Sequence, residues 1–182
     1  MSRYSVMSLA TMAALALTAC GGSAEKAAGA GESAEASGAP ASFDATDACA
    51  LLDKGIVSAA LGSPVTATEL SSVTQPTETS AGFSNCTYTL ADGRKPQFFT
   101  RWSPIDDGDP EGIARTRAGI AELAPQPPVD VPEVGGSAFW VGGMNQLHIF
   151  PAKDRYVFFT LMGEEAAKAK ADAIALAKKA GY

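Results

Sequence analysis

The sequence predicts an α+β domain, a mainly antiparallel sheet with helices packed on it, in the order helix-strands-helix-strands-helix. Three observations predict it. Two alternating runs meet at an Asp92-Gly93 turn, three further strand-like runs are separated by short turns, and capped helical patterns stand before, between and after these groups. Strands joined as hairpins, rather than single strands alternating with helices, argue against a parallel βαβ arrangement.

The chain opens on an address. Arg3 supplies a basic start, Val6 to Leu17 is an apolar run, and small residues lead to Cys20, which predicts a secretory signal peptide over residues 1–19, of the lipoprotein kind by the resemblance given below. A membrane-spanning helix needs roughly 20 mostly apolar residues. This run is shorter and holds Ser8 and Thr11. Leu17-Thr18-Ala19-Cys20 resembles the lipobox of bacterial lipoproteins. That resemblance implies cleavage before Cys20, a diacylglyceryl group on its thiol, and a protein that sits on a membrane without crossing it. Two acyl chains anchor stably where one binds only marginally. In Gram-negative lipoproteins an Asp after the lipidated Cys commonly retains the protein at the inner membrane. Gly21 stands there instead, which implies the outer membrane, facing the periplasm, in a cell that has one.

Residues 20–42 follow as lipidated Cys and tether. Gly21 to Ser42 is almost wholly Gly, Ala, Ser and Glu, with nothing to bury, so a flexible linker with a reach of about 26 Å is expected. Residues 43–182 form the single folded domain, a size usual for one core.

Within it, Asp47 reads as an N-cap and Leu51, Leu52, Ile56, Val57, Ala60 and Leu61 keep helical spacing, predicting a helix over 47–61. Gly55 weakens its middle, where Asp53 could cap a second piece. Next, Cys86, Tyr88 and Leu90 share one face of a strand over 85–90, and Asp92-Gly93 returns the chain into Gln97 to Trp102. Asp109-Pro110-Glu111 then opens a helix running to Ala124. Pro125, Pro127, Pro128 and Pro132 impose an extended connector. Ala138 to Val141, Gln146 to Phe150 and Arg155 to Met162 read as three strands, turning at Gly142-Gly143 and near Lys153-Asp154. Glu164 to Ala180 is the final helix, with Glu164, Lys168 and Asp172 at i,i+4 and Gly181 as terminator. The two halves echo each other in architecture without matching letters.

The chain has three Cys. Once Cys20 is reserved for lipid, Cys49 and Cys86 remain, an even pair in an oxidising compartment, and a disulfide between them is expected; two buried thiols are the alternative. The series Asp47-x-Cys49-x-Leu51-Leu52, Ala60-Leu61-Gly62-x-Pro64, Cys86-x-Tyr88 and Gly136-x-Ala138-Phe139-Trp140 resembles a family of bacterial, mostly actinobacterial, lipoproteins whose domain has no known function. The resemblance spans most of residues 43–182 and implies two paired Cys and no assigned activity. Ala48 stands where that family typically has Pro.

A net charge of -6 and the lack of a basic stripe argue against nucleic acid as a partner and against a second, electrostatic hold on anionic lipid heads. No G-x-S-x-G, Walker loop or H-E-x-x-H occurs, so neither a cofactor nor a metal is expected. His148 is the only His. Leu147 and Ile149 point to the opposite face, and no nucleophile accompanies it, so a structural role is expected. Gly135-Gly136 and Gly142-Gly143 precede no helix and read as turns. Asp106, Asp107, Asp109 and Glu111 are the densest acids but lack the calcium-loop order. Asn85-Cys86-Thr87 has the letters of a glycosylation sequon, a meaning a bacterial strand Asn beside a paired Cys does not support. The suggestive surface is aromatic. Phe98, Phe99, Trp102, Phe139, Trp140, Tyr156, Phe158 and Phe159 lie on strands whose adjacent residues face opposite ways. Both faces covered is the plainer expectation; if one is open, Arg101, Trp140, Tyr156 and Phe158 line a groove on it. The expected function is a non-catalytic envelope lipoprotein that binds an envelope protein. A small apolar ligand carrier or sensor, and an enzyme without a recognised motif, are the alternatives.

Overall fold

Two short helices open the domain because Asp residues cap each of them. The Asp47 carboxylate accepts the Ala50 N–H at the start of α1 (Ala48–Leu51), and Asp53 accepts the N–H groups of Gly55 and Ile56 at the start of α2 (Lys54–Leu61). A Cβ on Gly55 would sit 2.8 Å from Asp53 Oδ1, so glycine leaves room for this cap. The helix expected over 47–61 is thus two helices, broken where Leu52 turns extended. Gly62, left-handed at φ 67°, ends α2. The computed structural model describes residues 43–182; the signal peptide, Cys20 and the tether expected over 1–42 lie outside the described residues.

Seven strands follow: β1 (Val65–Thr74), β2 (Gly82–Leu90), β3 (Gln97–Trp102), β4 (Val129–Asp130), β5 (Ser137–Val141), β6 (Gln146–Ala152) and β7 (Arg155–Thr160). Helix α3 (Pro110–Leu123) lies between β3 and β4, and α4 (Ala166–Lys179) closes the chain. The sheet order is β1-β2-β3-β7-β6-β5-β4 and every neighbour is antiparallel. The α+β class and the antiparallel sheet hold. The finer order needs correction: the sheet dominates, β1 and the short β4 were not expected as strands, and two helices replace the first one. Glu164 also lies outside α4, whose cap is Glu165, accepting the N–H groups of Ala167 and Lys168.

One sheet face carries the larger core. Cys86, Tyr88, Leu90, Phe98, Trp102, Leu147, Ile149, Val157 and Phe159 join Leu52, Val57 and Leu61 from α1–α2 and Ala169, Ala173, Leu176 and Ala177 from α4. The small residues of α4 let its backbone approach the sheet. The C-terminal Tyr182 packs beside Phe98 and Phe159, and burial raises its hydroxyl to about 12. The opposite face carries the smaller core of Phe139, Val141, Phe150 and Tyr156, with Ile113, Ile120 and Ala124 from α3 and its exit packed on it. α2 and α3 therefore lie on opposite faces. The strands form two meanders, β1–β3 and β4–β7, that meet at β3 and β7, and a rotation that pairs them antiparallel keeps each face on its own side, so it cannot carry one helix onto the other.

Three inward side chains of β2 hold the opening helix to the sheet. Ser84 Oγ accepts the Ala48 N–H at 2.8 Å and donates to the Ala45 carbonyl at 2.7 Å. Cys86 is disulfide-bonded to Cys49 with an S–S distance of 2.00 Å. Tyr88 donates its hydroxyl to the Leu52 carbonyl at 2.7 Å. Burial, with Asp53 and Asp47 nearby, raises the Tyr88 hydroxyl well above its ordinary value, keeping it a donor. A second tie is ionic. Arg94, in the β2–β3 turn, pairs with Asp92 and Glu164 and donates to the Leu61 carbonyl at 2.6 Å, joining the hairpin to α2 and to the start of α4.

Reduction of the purified domain is expected to add two hydrogens to its mass. A Cys49→Ala, Cys86→Ala double variant should lose roughly 4 kcal/mol of stability by loop-closure entropy, read as a lowered urea midpoint. Ser84→Ala strands the buried Ala48 N–H and should cost about 1–3 kcal/mol in the same assay.

Candidate functional site

The face under α3 is built from a cross-strand ladder of rings. Phe99 on β3 lies opposite Phe158 on β7, Phe158 opposite His148 on β6, and His148 opposite Phe139 on β5. Successive ring centroids are 4.7, 5.3 and 4.9 Å apart. Phe83 on β2, opposite Arg101 and diagonal to Phe99, adds a ring with its centroid 5.8 Å from that of Phe99. Directly opposed aromatic pairs of this kind stabilise a sheet and fix its register. A second row lies beside the first: Tyr156 stands opposite Arg101 and stacks on Phe150 with centroids 4.8 Å apart.

His148 sits at the centre, only 2% exposed. Its Nδ1 lies 2.5 Å from the Tyr156 hydroxyl. Its Nε2 is buried with no hydrogen-bond partner among the described residues. Burial among rings disfavours the imidazolium and lowers its pKa from 6.5 to about 4, while burial raises the Tyr156 hydroxyl, an effect the Arg101 charge partly offsets. The pair is neutral at pH 7. A base needs access to its substrate's proton, and the packing around His148 gives it a positioning role for Tyr156 instead.

The two halves of this face are covered differently. Along β6, Leu147, His148, Ile149 and Phe150 are all buried, whereas along β2 residues alternate strictly, with Ser84, Cys86 and Tyr88 buried and Phe83, Asn85 and Thr87 half-buried. α3 covers the β5–β7 half. It contributes no fully buried apolar side chain: Ile113 and Ile120 are half-buried, and only Gly112 is buried. A Cβ on Gly112 would come 2.3 Å from the Asp107 carbonyl oxygen, so the first turn of α3 is pressed onto the preceding loop. Arg117 ties α3 down further, pairing with Asp130, donating to the Pro128 carbonyl at 2.8 Å and lying 5.4 Å above the Phe139 ring. Beneath it is a cleft of about 280 Å³ lined by Ile113, Arg117, Asp130, Val131, Pro132 and Phe139 among others. No helix of the described residues is long and apolar enough to cross a membrane.

Of the four residues expected to line one groove, three come together. Arg101, Tyr156 and Phe158 share this face, Tyr156 buried and Phe158 half-buried. Trp140 does not join them. It lies opposite Leu147, 5% exposed, in the larger core on the other face, because β5 turns Phe139 rather than Trp140 toward His148. Arg101 is engaged, its guanidinium 2.5 Å from Asp107. The acids around it are spoken for singly: Asp106 lies 3.9 Å from Lys153, Asp109 caps α3 by accepting the Gly112 N–H, and Glu111 pairs with Arg115. Phe83, Phe150 and the His148–Tyr156 contact were missed from sequence. Extending the β2 alternation two residues backward reaches Phe83; the His–Tyr contact spans two strands whose register no local pattern reveals.

Compared with known proteins, the chain matches no family model and no curated protein.

Neutral His148 favours the folded state. As pH falls below 6.5 the unfolded imidazole takes up a proton while the folded one resists until about pH 4. Its contribution is therefore complete above that window and is lost as pH falls through it, by on the order of 3 kcal/mol. Urea midpoints measured from pH 7 to 4 should fall more steeply for the natural chain than for His148→Phe; equal slopes would contradict a buried neutral His148.

Proposed function

We propose that the chain is an envelope lipoprotein, held on a membrane by acyl chains on Cys20, whose domain acts by binding an envelope protein rather than by catalysis. The anchor rests on the sequence, on Arg3, the apolar run and the lipobox-like Leu17 to Cys20. With Gly21 next, the outer membrane facing the periplasm is the proposed site in a Gram-negative cell. The likeness to the lipoprotein family rests on its short motifs and belongs to this reading.

The observation that carries the binding role is the half-covered aromatic ladder. Phe83 and Phe99 stay half-buried on the sheet half that α3 leaves aside, rimmed by Asn85, Thr87 and Gln97 on the same face. Flat rings fixed by stacking lose little entropy on contact, and amides at the rim can satisfy a partner's polar groups. The fitting occupant is a protein surface that offers an apolar centre with neutral polar edges. A second reading, a carrier of small apolar ligands, draws on the cleft of about 280 Å³ floored by Ile113, Val131 and Phe139.

A photo-cross-linking side chain at Asn85 in the full-length protein should capture one discrete protein in living cells. Capture should vanish in Cys20→Ser and fall about tenfold in Phe83→Ala, the loss expected of a single aromatic anchor. If an abundant, folded protein yields no specific adduct, the partner reading fails, and extraction of bound small molecules tests the second.

A further inference from the structure

The two edges of the sheet are built in opposite ways. β4 has two residues and is flanked by Pro127, Pro128 and Pro132, so it offers little to a further strand. β1 has ten residues, contains no Pro, Lys or Arg, and carries one charge, Glu69. Its outer edge pairs with no strand among the described residues. Register irregularities at Val65/Ala67 and Ser71/Thr74 bracket a regular stretch from Ala67 to Ser71. Two apolar side chains on it are left in solvent, Leu70 at 41% and Val73 at 46% exposure. Beside its first half runs a cleft of about 230 Å³, lined by Val65, Thr66, Ala67 and Thr68 and walled by Lys54 of α2.

We infer that β1 is the dimer edge of this protein, pairing antiparallel with β1 of a second copy, with Leu70 opposite Leu70. The commitment to a second copy follows from symmetry and charge. An antiparallel two-fold runs perpendicular to the sheet, so opposed residues share a face and one residue must oppose itself. Glu69 is excluded from that place, because like charges directly opposed are destabilising. A centre at Thr68 sets Leu70 against Thr66, and a centre at Ser71 sets it against Ser72. A centre at Ala67 carries Leu70 past the start of the strand and sets Glu69 against Val65, whereas a centre at Leu70 opposes the two leucines and sets Glu69 against Ser71 of the second copy. That register also runs the segment carrying Val73 of each copy past Val65–Thr68 of the other, beside the cleft. Both exposed apolar residues and the cleft are then used by one self-complementary contact. The inference depends on neither the lipid anchor nor the aromatic face.

Opposed residues of an antiparallel pair have Cα atoms about 4.5–5.5 Å apart, within the span a disulfide bridges. The full-length chain carrying Leu70→Cys, with Cys20→Ser to remove the other available thiol, should therefore oxidise to a covalent dimer on a non-reducing gel. Thr68→Cys, exposed on the same face but opposite Ser72 in this register, should not. The natural full-length chain should show twice the chain mass in solution, and Leu70→Lys should return it to one chain mass with the Cys49–Cys86 bond intact and a thermal midpoint that no longer rises with protein concentration. A monomeric natural chain, equal cross-linking at both positions, or linkage of Leu70→Cys to a different protein would each overturn the proposal.

Discussion

The grip of β2 on the segment from Ala45 to Leu52 is the constraint on which the rest of the domain depends. Ser84, Cys86 and Tyr88 follow one another on the inward face of the strand and hold, in order, the Ala45 and Ala48 backbone, the Cys49 sulfur and the Leu52 carbonyl. α1 has only four residues, far too few to persist by its own hydrogen bonds. It exists because the strand supplies what a longer helix would supply itself. Once α1 is fixed, Asp53 can start α2 directly after it, and α2 brings Val57 and Leu61 into the core beside α4.

The other face is organised by rings rather than by helices. Phe99, Phe158, His148 and Phe139 form one row over four neighbouring strands, β3, β7, β6 and β5. That row crosses the junction of the two meanders, so stacking helps to specify that β3 pairs with β7. His148 belongs there as a flat, neutral ring with a polar edge, and its contact with Tyr156 gives a buried phenol a partner. α3 adds partial cover, secured more by Arg117 and by its first turn against the preceding loop than by a buried apolar stripe. The two faces thus differ in how firmly their covers are held, and the loosely covered one carries the aromatic surface.

Elements marked by a buried face or by a clear cap were legible in the sequence, as α3 was from Asp109 and Pro110, and those with neither were not. The β2–β3 hairpin showed itself because Cys86, Tyr88 and Leu90 alternate toward the core and Gly93 takes the positive φ its turn requires. The caps at Asp47, Asp53 and Asp109 act as their positions suggested. β1 was invisible for the converse reason. Val65, Thr66, Thr68, Val73 and Thr74 have strand-forming side chains, yet most of the strand is exposed on both faces, so no alternation marks it. β4 hid among prolines. In the candidate site, the aromatic residues were recognisable, but their division between faces depends on the parity of β5, and Trp140 went to the wrong side because strand parity is a tertiary fact. Arg101, Tyr156 and Phe158 fell together because β3 and β7 are direct neighbours.

The position of β7 bears on how the chain reaches this state. Among the described residues it is the last strand in chain order, yet it lies in the middle of the sheet, between β3 and β6, and Tyr182, beyond α4, packs beside Phe98 and Phe159. The first meander therefore gains its second neighbour, and the larger core its closure, only once β7 and α4 have been made. Pairings between distant parts of a chain form slowly. Such a topology leaves the β3 edge of the first meander open through the synthesis of everything between β3 and β7, so the sheet closes in one late step rather than strand by strand.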